Sequence, residues 1–262
     1  MGWSLTKPRQ QRIFFYLCAL INFIAAIAYF TMGSNLGWAA IRVEFERLDD
    51  PKVGGLMRQV FYVRYIDWAL TTPLLLTDLL LTCALPWGTI FSVIVMNEIM
   101  IVTGLIGALT SSSYKWGYFI FGCFAFFYVV YVVALEGRKY ARGISPEVSK
   151  VYTLCGVWTL GLWFLYPIAW IVSEGLNKIS SNGESVFYGV LDLLAKPVFS
   201  FLLLWGHRSI SIETLGMHVR GFDELPGGSR GVTHHEKTGV LGTGHGTHGT
   251  GTHNTGTHDP AV

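Results

Sequence analysis

The sequence predicts an all-α transmembrane helix bundle, and its composition and its apolar runs support this. Hydrophobic residues make up 51% of the chain and charged residues only 14%, which is typical of integral membrane proteins rather than soluble domains. Six apolar runs each approach the roughly 20 residues that a helix needs to cross a bilayer. None alternates strictly between apolar and polar residues, so membrane strands are not expected.

The predicted spans are residues 13–32, 60–82, 88–109, 116–135, 152–172 and 186–205. Residues 1–12 form a predicted cytoplasmic N-terminal segment, 13–205 the bundle, and 206–262 a polar tail, disordered from about residue 227 because it has little apolar surface to bury. The net charge of +2 gives no reason to expect a nucleic-acid partner.

Basic residues give the orientation. They precede the first span, and they also occupy the predicted loop after the fourth span, as Arg138, Lys139, Arg142 and Lys150. The positive-inside rule places both segments, and with six spans both termini, in the cytoplasm.

The four cysteines lie in or at the edge of the apolar runs, at positions 18, 83, 123 and 155. They show no CxxC spacing, so neither a metal site nor a disulfide framework is expected. We interpret them as small packing residues.

The last span, VFYGVLDLLAKPVFSFLLLW, places Lys196 near its middle and Asp192 one helical turn earlier. A charge at this depth costs roughly 2.5–3.5 kcal/mol on insertion scales, so an intramembrane lysine is a candidate functional residue. Two interpretations are open at this point: half of a buried ion pair, or an amine that forms a Schiff base with a carbonyl ligand.

The second span carries Arg64, Asp67 and Thr71 on one helix face, because they are spaced three and four residues apart. Asp78 follows on nearly the same face, about 16 Å further along the axis. Each acid alone could serve only to form a hydrogen bond between helices. Two acids and an arginine in register favour a functional site.

The fifth span places Trp163, Tyr166 and Trp170 on one face, with Pro167 expected to kink the helix. Such a stripe is often core packing, but beside buried charges it predicts a slot for a flat apolar ligand. Glu98, beside Asn97 in the third span, is either an interhelical hydrogen-bonding group or a functional acid.

These stretches resemble the microbial (type I) rhodopsins. The similarity is carried by RYIDWALTTPLLLTD, WFLYPIAW and LDLLAK, and FYVRYIDW, IMIVTGLIGAL and YKWGYFIFG are most similar to the fungal branch. The resemblance covers residues 12–208. It implies a rhodopsin-like fold and all-trans retinal bound covalently to Lys196 as a protonated Schiff base, in a light-driven transporter or photoreceptor rather than an enzyme.

The resemblance also implies residue roles. Asp67 is expected to be the counterion and proton acceptor, Asp192 the second counterion, and Arg64 the extracellular gate. Asp78 matches the cytoplasmic proton donor, and Glu174, after a one-residue shift, and Glu184 match the extracellular release pair. The residues that match the retinal pocket are Trp68, Thr71, Thr72, Met100, Trp163, Tyr166 and Trp170, with Tyr29 near the counterions.

The chain departs from the family pattern in three places. Phe119 stands where a tryptophan is expected and Asn97 where an acid is expected, and both changes are expected to tune colour. The first predicted span matches the second of the family's seven helices, so six spans are visible. We expect that the recorded sequence is truncated at an internal methionine, the alternative being a protein with six helices.

The function implied is a light-driven outward proton pump in the plasma membrane, because Asp78 supplies a donor that sensory members tend to lack. Its expected partners are retinal, protons, the lipid bilayer and other copies of the chain. Two alternatives remain open: a photosensory receptor that signals through cytoplasmic segments, and a non-photoactive, opsin-related chaperone or structural protein.

Overall fold

The computed structural model describes residues 12–47, 49–210 and 214. The predicted N-terminal segment up to residue 11 and nearly all of the polar tail lie outside these residues. Six helices form the described bundle: α1 (Ile13–Gly33), α2 (Tyr62–Thr82), α3 (Trp87–Leu109), α4 (Lys115–Ile144), α5 (Pro146–Gly175) and α6 (Ser181–Gly206).

The helices form a closed bundle in which each helix packs against the next and α6 returns to α1. Five of the six are long and apolar enough to cross a membrane; the exception, α2, is the helix that carries Arg64, Asp67 and Asp78. Large apolar side chains such as Phe91 and Phe201 point outward and are exposed, as a lipid-facing surface requires. The prediction of an all-α transmembrane bundle is confirmed.

The prediction of a loop after the fourth span is wrong. Arg138, Lys139 and Arg142 lie on α4, Lys150 lies on α5, and only Ser145 separates the two helices. Ser145 is extended (φ −162°, ψ 160°), and its hydroxyl accepts a hydrogen bond from the amide of Val148, an N-cap. Apolar runs mark where a helix meets lipid, whereas its backbone hydrogen bonds continue through polar residues.

The long connection between α1 and α2 contains a β-hairpin that the sequence pattern did not predict. Strands β1 (Ala39–Arg42) and β2 (Met57–Val60) are antiparallel, with Ala39 opposite Val60. Asn177, after α5, donates hydrogen bonds to the carbonyls of Phe45 and Val53. The hairpin therefore lies over the bundle at one end, which we call the hairpin end.

The opposite end is closed by small and aromatic side chains. His207 follows α6, packs against Phe14 with ring centroids 4.4 Å apart and the rings tilted by 32°, and lies within hydrogen-bonding distance of the Leu203 carbonyl. Burial lowers the pKa of His207 and raises the pKa of the Cys83 thiol to about 12. Both side chains are therefore neutral packing groups at this end.

Three π-helical turns widen the long helices, at Val132–Gly137, Ile171–Gly175 and Leu194–Val198. The helical pattern of α5 also breaks at Phe164. Proline has no amide hydrogen, so Pro167 cannot donate the helical hydrogen bond to the carbonyl of Trp163, the residue before this break. This interruption lies where Pro167 was expected to kink the helix. Lys196 lies in the last of the three π turns.

The π turn in α4 is filled by a side chain of α5. The Tyr152 hydroxyl donates a 2.7 Å hydrogen bond to the Val133 carbonyl, and a Cβ at Gly137 would overlap that hydroxyl. Tyr152 is fully buried. Gly137 is therefore required for space rather than for backbone conformation.

We expect Gly137→Ala to destabilise the protein by about 1–3 kcal/mol, the usual cost of overpacking. The measurement is the unfolding free energy in detergent, or the thermal midpoint. Gly143→Ala is the matched control, because this glycine lies on the same helix with nothing within 4 Å of an added Cβ. Equal effects of the two changes would contradict the assignment.

Candidate functional site

The centre of the bundle holds a buried cation between two buried carboxylates. The Nζ of Lys196 bonds the Asp67 carboxylate of α2 and lies 3.2 Å from Asp192 Oδ2, one turn earlier on α6. All three side chains are at most 3% exposed. With both acids ionised, the triad carries one net negative charge and stays stable only while its partners remain together.

The two carboxylates have different surroundings. Asp192 accepts hydrogen bonds from Tyr29 (2.7 Å), Tyr166 (2.7 Å) and the Trp68 indole (3.2 Å). Asp67 uses one oxygen for Lys196, and its buried Oδ1 has no hydrogen-bonding partner among the described residues. Asp192 is thus held from three sides, whereas Asp67 has a free acceptor atom.

A cavity lined mainly by apolar and aromatic side chains adjoins Lys196. Six of the predicted pocket residues line it: Trp68, Thr72, Met100, Trp163, Tyr166 and Trp170. Thr71 and Tyr29 do not: the Thr71 hydroxyl bonds the Asp67 carbonyl at 2.7 Å, and Tyr29 reaches Asp192 from α1. A cavity with aromatic walls can hold a flat apolar ligand, and the Lys196 amine beside it could react with a carbonyl group of that ligand.

Both departures from the family pattern lie close to this cavity. Phe119 lines the cavity and stacks on Trp170, with centroids 4.9 Å apart and rings 21° from parallel. Asn97 donates a 2.7 Å hydrogen bond to the hydroxyl of Thr72, a cavity residue. Glu98 is only partly buried and accepts a hydrogen bond from Asn97, so the structure places this acid outside the cavity.

Asp78 lies apart from the central triad, towards the opposite end. It is fully buried, and the described part of the chain gives its carboxyl group one hydrogen-bonding side chain, the Cys18 thiol, at 3.2 Å from Oδ2. Its Oδ1 has no hydrogen-bonding partner within the described ranges. Our interpretation of Cys18 as a mere packing residue is therefore wrong: spacing along the chain could not show that α1 places a weak donor beside this acid.

A second ion cluster lies at the hairpin end. Arg64 Nη1 and Arg58 Nη2 each lie 2.5 Å from a different oxygen of Glu184. Glu174 instead bonds two hydroxyl groups, those of Tyr65 (3.1 Å) and Ser173. Among the described residues no hydrogen bond joins the two glutamates directly, although both lie at this end.

Sequence reasoning missed Arg58 and Lys115 in this cluster. Arg58 lies on β2 and is 6% exposed; Lys115 begins α4, with its Nζ 3.2 Å from the Glu174 carbonyl and 3.8 Å from Glu44. Charges in a polar connection normally face water. Only the folded hairpin shows that these two are buried, because no local pattern distinguishes them from exposed basic residues.

Comparisons with known proteins agree with this geometry. The family model described as "Bacteriorhodopsin-like protein" matches residues 1–210. The chain is 57% identical over 224 residues to the opsin-like protein carO of Fusarium fujikuroi, covering 86% of this chain and 73% of that one. The structure is similar to a light-driven proton pump of Leptosphaeria maculans, with a TM-score of 0.75, 37% identity and coverage of 80% and 88%. It is also similar to bromide-bound halorhodopsin of Halobacterium salinarum, with a TM-score of 0.71, 30% identity and coverage of 80% and 85%.

We expect Lys196→Met to destabilise the ligand-free protein by about 3–5 kcal/mol, because it leaves two buried carboxylates without their cation. Adding Asp67→Asn should recover much of this loss. The measurement is unfolding in detergent at neutral pH. Lys178→Met, at an exposed lysine, is the control and should change stability by less than about 0.5 kcal/mol. A Lys196→Met protein as stable as the control would contradict the ion triad.

Proposed function

Because the chain belongs to the bacteriorhodopsin-like family of microbial rhodopsins, we propose that it is a light-driven outward proton pump. Members of this family are integral, multi-pass membrane proteins that act as light-driven ion pumps or light sensors rather than as enzymes, and they generally bind retinal through a lysine. One observation carries the proposal: a buried amine bonded to a carboxylate with a free oxygen, with a second, isolated carboxyl group on the same helix.

Lys196 is the residue that would bind all-trans retinal covalently, with Trp68, Trp163, Tyr166 and Trp170 forming the walls. When bound, retinal supplies light absorption and an isomerisation that changes the direction and environment of the lysine nitrogen. The fit rests on the buried position of Lys196 and on the predominantly apolar lining of the cavity. Large rings hold a flat molecule in one orientation and exclude water from it.

The first proton transfer runs from the Lys196 nitrogen to Asp67. These groups are already hydrogen-bonded, so the proton moves along an existing contact. Asp67 has a free oxygen, whereas both oxygens of Asp192 accept hydrogen bonds from Tyr29, Tyr166 and Trp68. We therefore assign Asp67 as the acceptor and Asp192 as the acid that stays ionised.

The second transfer returns a proton to Lys196 from Asp78. Asp78 lies about 16 Å from Asp67 along the axis of α2, and leucines 75, 76 and 79 between them or beside Asp78 are buried. The neutral form of a buried carboxyl group without a cation is favoured, since burial penalises the charged form. Asp78 is thus suited to hold a proton until Lys196 has lost its own.

This order of transfers gives the direction of pumping. Arg64, one turn before Asp67 on α2, bonds Glu184 at the hairpin end, whereas Asp78 lies towards the end where α4 and α5 carry their basic residues. We assign the hairpin end to the outside of the plasma membrane and the basic end and C-terminus to the cytoplasm. Protons then leave outward and are replaced from inside.

An anion pump is the competing transport function, because halorhodopsin has a similar structure. The charges beside Lys196 disfavour it. Asp67 and Asp192 already surround this single cation, so an anion entering here would meet a net negative charge in a medium of low dielectric constant. A proton is the ion that this arrangement can transfer.

In vesicles that hold the retinal-loaded protein with its hairpin end outside, illumination should acidify the external medium. The size of this pH change should be the same with and without chloride. Lys196→Ala should form no visible absorption band with added all-trans retinal and move no protons, whereas Lys178→Ala should behave as the parent. A pigment that forms without any proton movement would refute pumping and favour a sensor. A parent without a pigment would favour a non-photoactive opsin-related protein.

Asp78→Asn should slow recovery of the dark state by about a hundredfold, the scale on which a positioned proton donor contributes. Flash absorption spectroscopy measures this directly, and the loss of the proton from Lys196 should keep its rate because Asp67 is unchanged. Glu98→Gln removes another acid from the apolar part of the bundle, outside the cavity, and is the control. Equal recovery rates in Asp78→Asn and in the parent would remove Asp78 as the donor.

A further inference from the structure

The two glutamates at the hairpin end differ in the charge of their partners. Both oxygens of Glu184 are bonded by guanidinium groups, one from Arg64 and one from Arg58, each at 2.5 Å. Two cations bonded to one carboxylate both favour its ionised form over its protonated form. Glu184 is 1% exposed, so water does not weaken these bonds.

Glu174 has neutral partners instead. Its carboxyl oxygens accept hydrogen bonds from the hydroxyl groups of Tyr65 and Ser173. The nearby ammonium group of Lys115 bonds the main-chain carbonyl of Glu174 and pairs with Glu44. A buried carboxyl group with neutral donors exchanges a proton at lower cost than one held by two arginines.

Arg58 holds Glu184 independently of Arg64. Its second terminal nitrogen, Nη1, donates to the side chain of Asn177 (2.9 Å) and to the carbonyl of Ile179 (2.6 Å). It lies on β2, whereas Arg64 lies on α2, three residues before Asp67. If Arg64 moves when Asp67 gains a proton, Glu184 therefore keeps one cation.

We propose that Arg58 gives the two glutamates different tasks: it keeps Glu184 a permanent carboxylate and leaves Glu174 as the carboxyl group that releases the exported proton. The proposal rests on the pumping function proposed above. In each cycle Glu174 loses its proton to external water and becomes a carboxylate, and it later regains a proton from Asp67. The titratable or charged groups that face the cluster are those of Glu44, Arg58, Arg64, Tyr65, Lys115 and Tyr188.

Time-resolved infrared spectroscopy of the retinal-loaded protein in vesicles, combined with a pH dye outside, tests this proposal. The parent should lose one protonated-carboxyl band as the dye reports proton release. Glu174→Gln should remove this band and slow release by about a hundredfold. Arg58→Gln should add a second band, from a Glu184 that can now bind a proton, and this band should be absent in Arg58→Gln/Glu184→Gln.

Arg58→Lys should retain the single band, because it keeps the charge. Arg42→Gln is the matched control: Arg42 lies on the same hairpin, is exposed and pairs with Glu46. Arg58→Gln keeps the buried Arg64–Glu184 pair and should therefore fold at least as well as the double variant, which leaves Arg64 without its carboxylate; the double variant should show only the Glu174 band. A band that survives Glu174→Gln but is lost in Glu184→Gln would overturn the proposal, as would a folded Arg58→Gln protein without a second band.

An infrared pH titration in the dark separates this proposal from the proposed pumping. As the pH falls, the Glu174 band should appear before any Glu184 band in the parent, and Arg58→Gln should narrow this separation. This result requires no proton transport. A protein that does not pump but shows this order would retain the assignment of the glutamates and lose the pump, whereas the reverse order would refute the assignment itself.

Discussion

The structure depends on how a lysine charge is accommodated in the middle of a bundle that lipid surrounds. Lys196 is tolerated because α2 and α6 bring Asp67 and Asp192 to it, and because Tyr29, Tyr166 and Trp68 complete the shell of Asp192. Removing one member leaves a buried charge unpaired, at a cost of several kcal/mol. The need to pair this charge also places the Lys196 nitrogen in a buried hydrogen bond with Asp67, and a proton can be transferred along that bond.

Directional transport requires that the two sides of Lys196 differ, and the structure shows that difference along α2. On the hairpin side, Asp67 is followed by a network of charged and hydroxyl groups that begins at Arg64 and Glu184. On the other side, buried leucines lead to Asp78, whose carboxyl group is bonded, in the part of the chain that the structure describes, by one side chain, a thiol. Charged groups therefore lie on one side of Lys196 and buried leucines on the other. This asymmetry supports outward transport more directly than any single residue does.

The sequence predicted the parts of this arrangement that depend on helical periodicity. Asp67 and Asp78 are both buried on α2, and Trp163, Tyr166 and Trp170 all line the cavity. It did not predict the contacts made by Arg58 and Cys18, because each depends on a neighbouring segment that is distant along the chain. The hairpin strands are four residues long, too short for an alternating pattern. The ends of α4 and α5 were misplaced because hydropathy detects the lipid boundary and not the end of the hydrogen-bonded helix.

The π-helical turns explain why periodicity failed at particular functional positions. Ile171–Gly175 buries Ser173, Glu174 and Gly175 in succession, which a regular α-helix with one inward face would not do. Glu174 matched its expected role only after a one-residue shift, and the helical register changes at this turn. Leu194–Val198 widens α6 at Lys196, and the Trp158 indole bonds the Leu194 carbonyl there at 2.9 Å. The turns in α5 and α6 bury the charged side chains of Glu174 and Lys196, and the turns in α4 and α6 each free a carbonyl that a side chain of α5 bonds. A search for regular helices does not detect these wide turns, so the contacts around Glu174 and Lys196 are visible only in the folded structure.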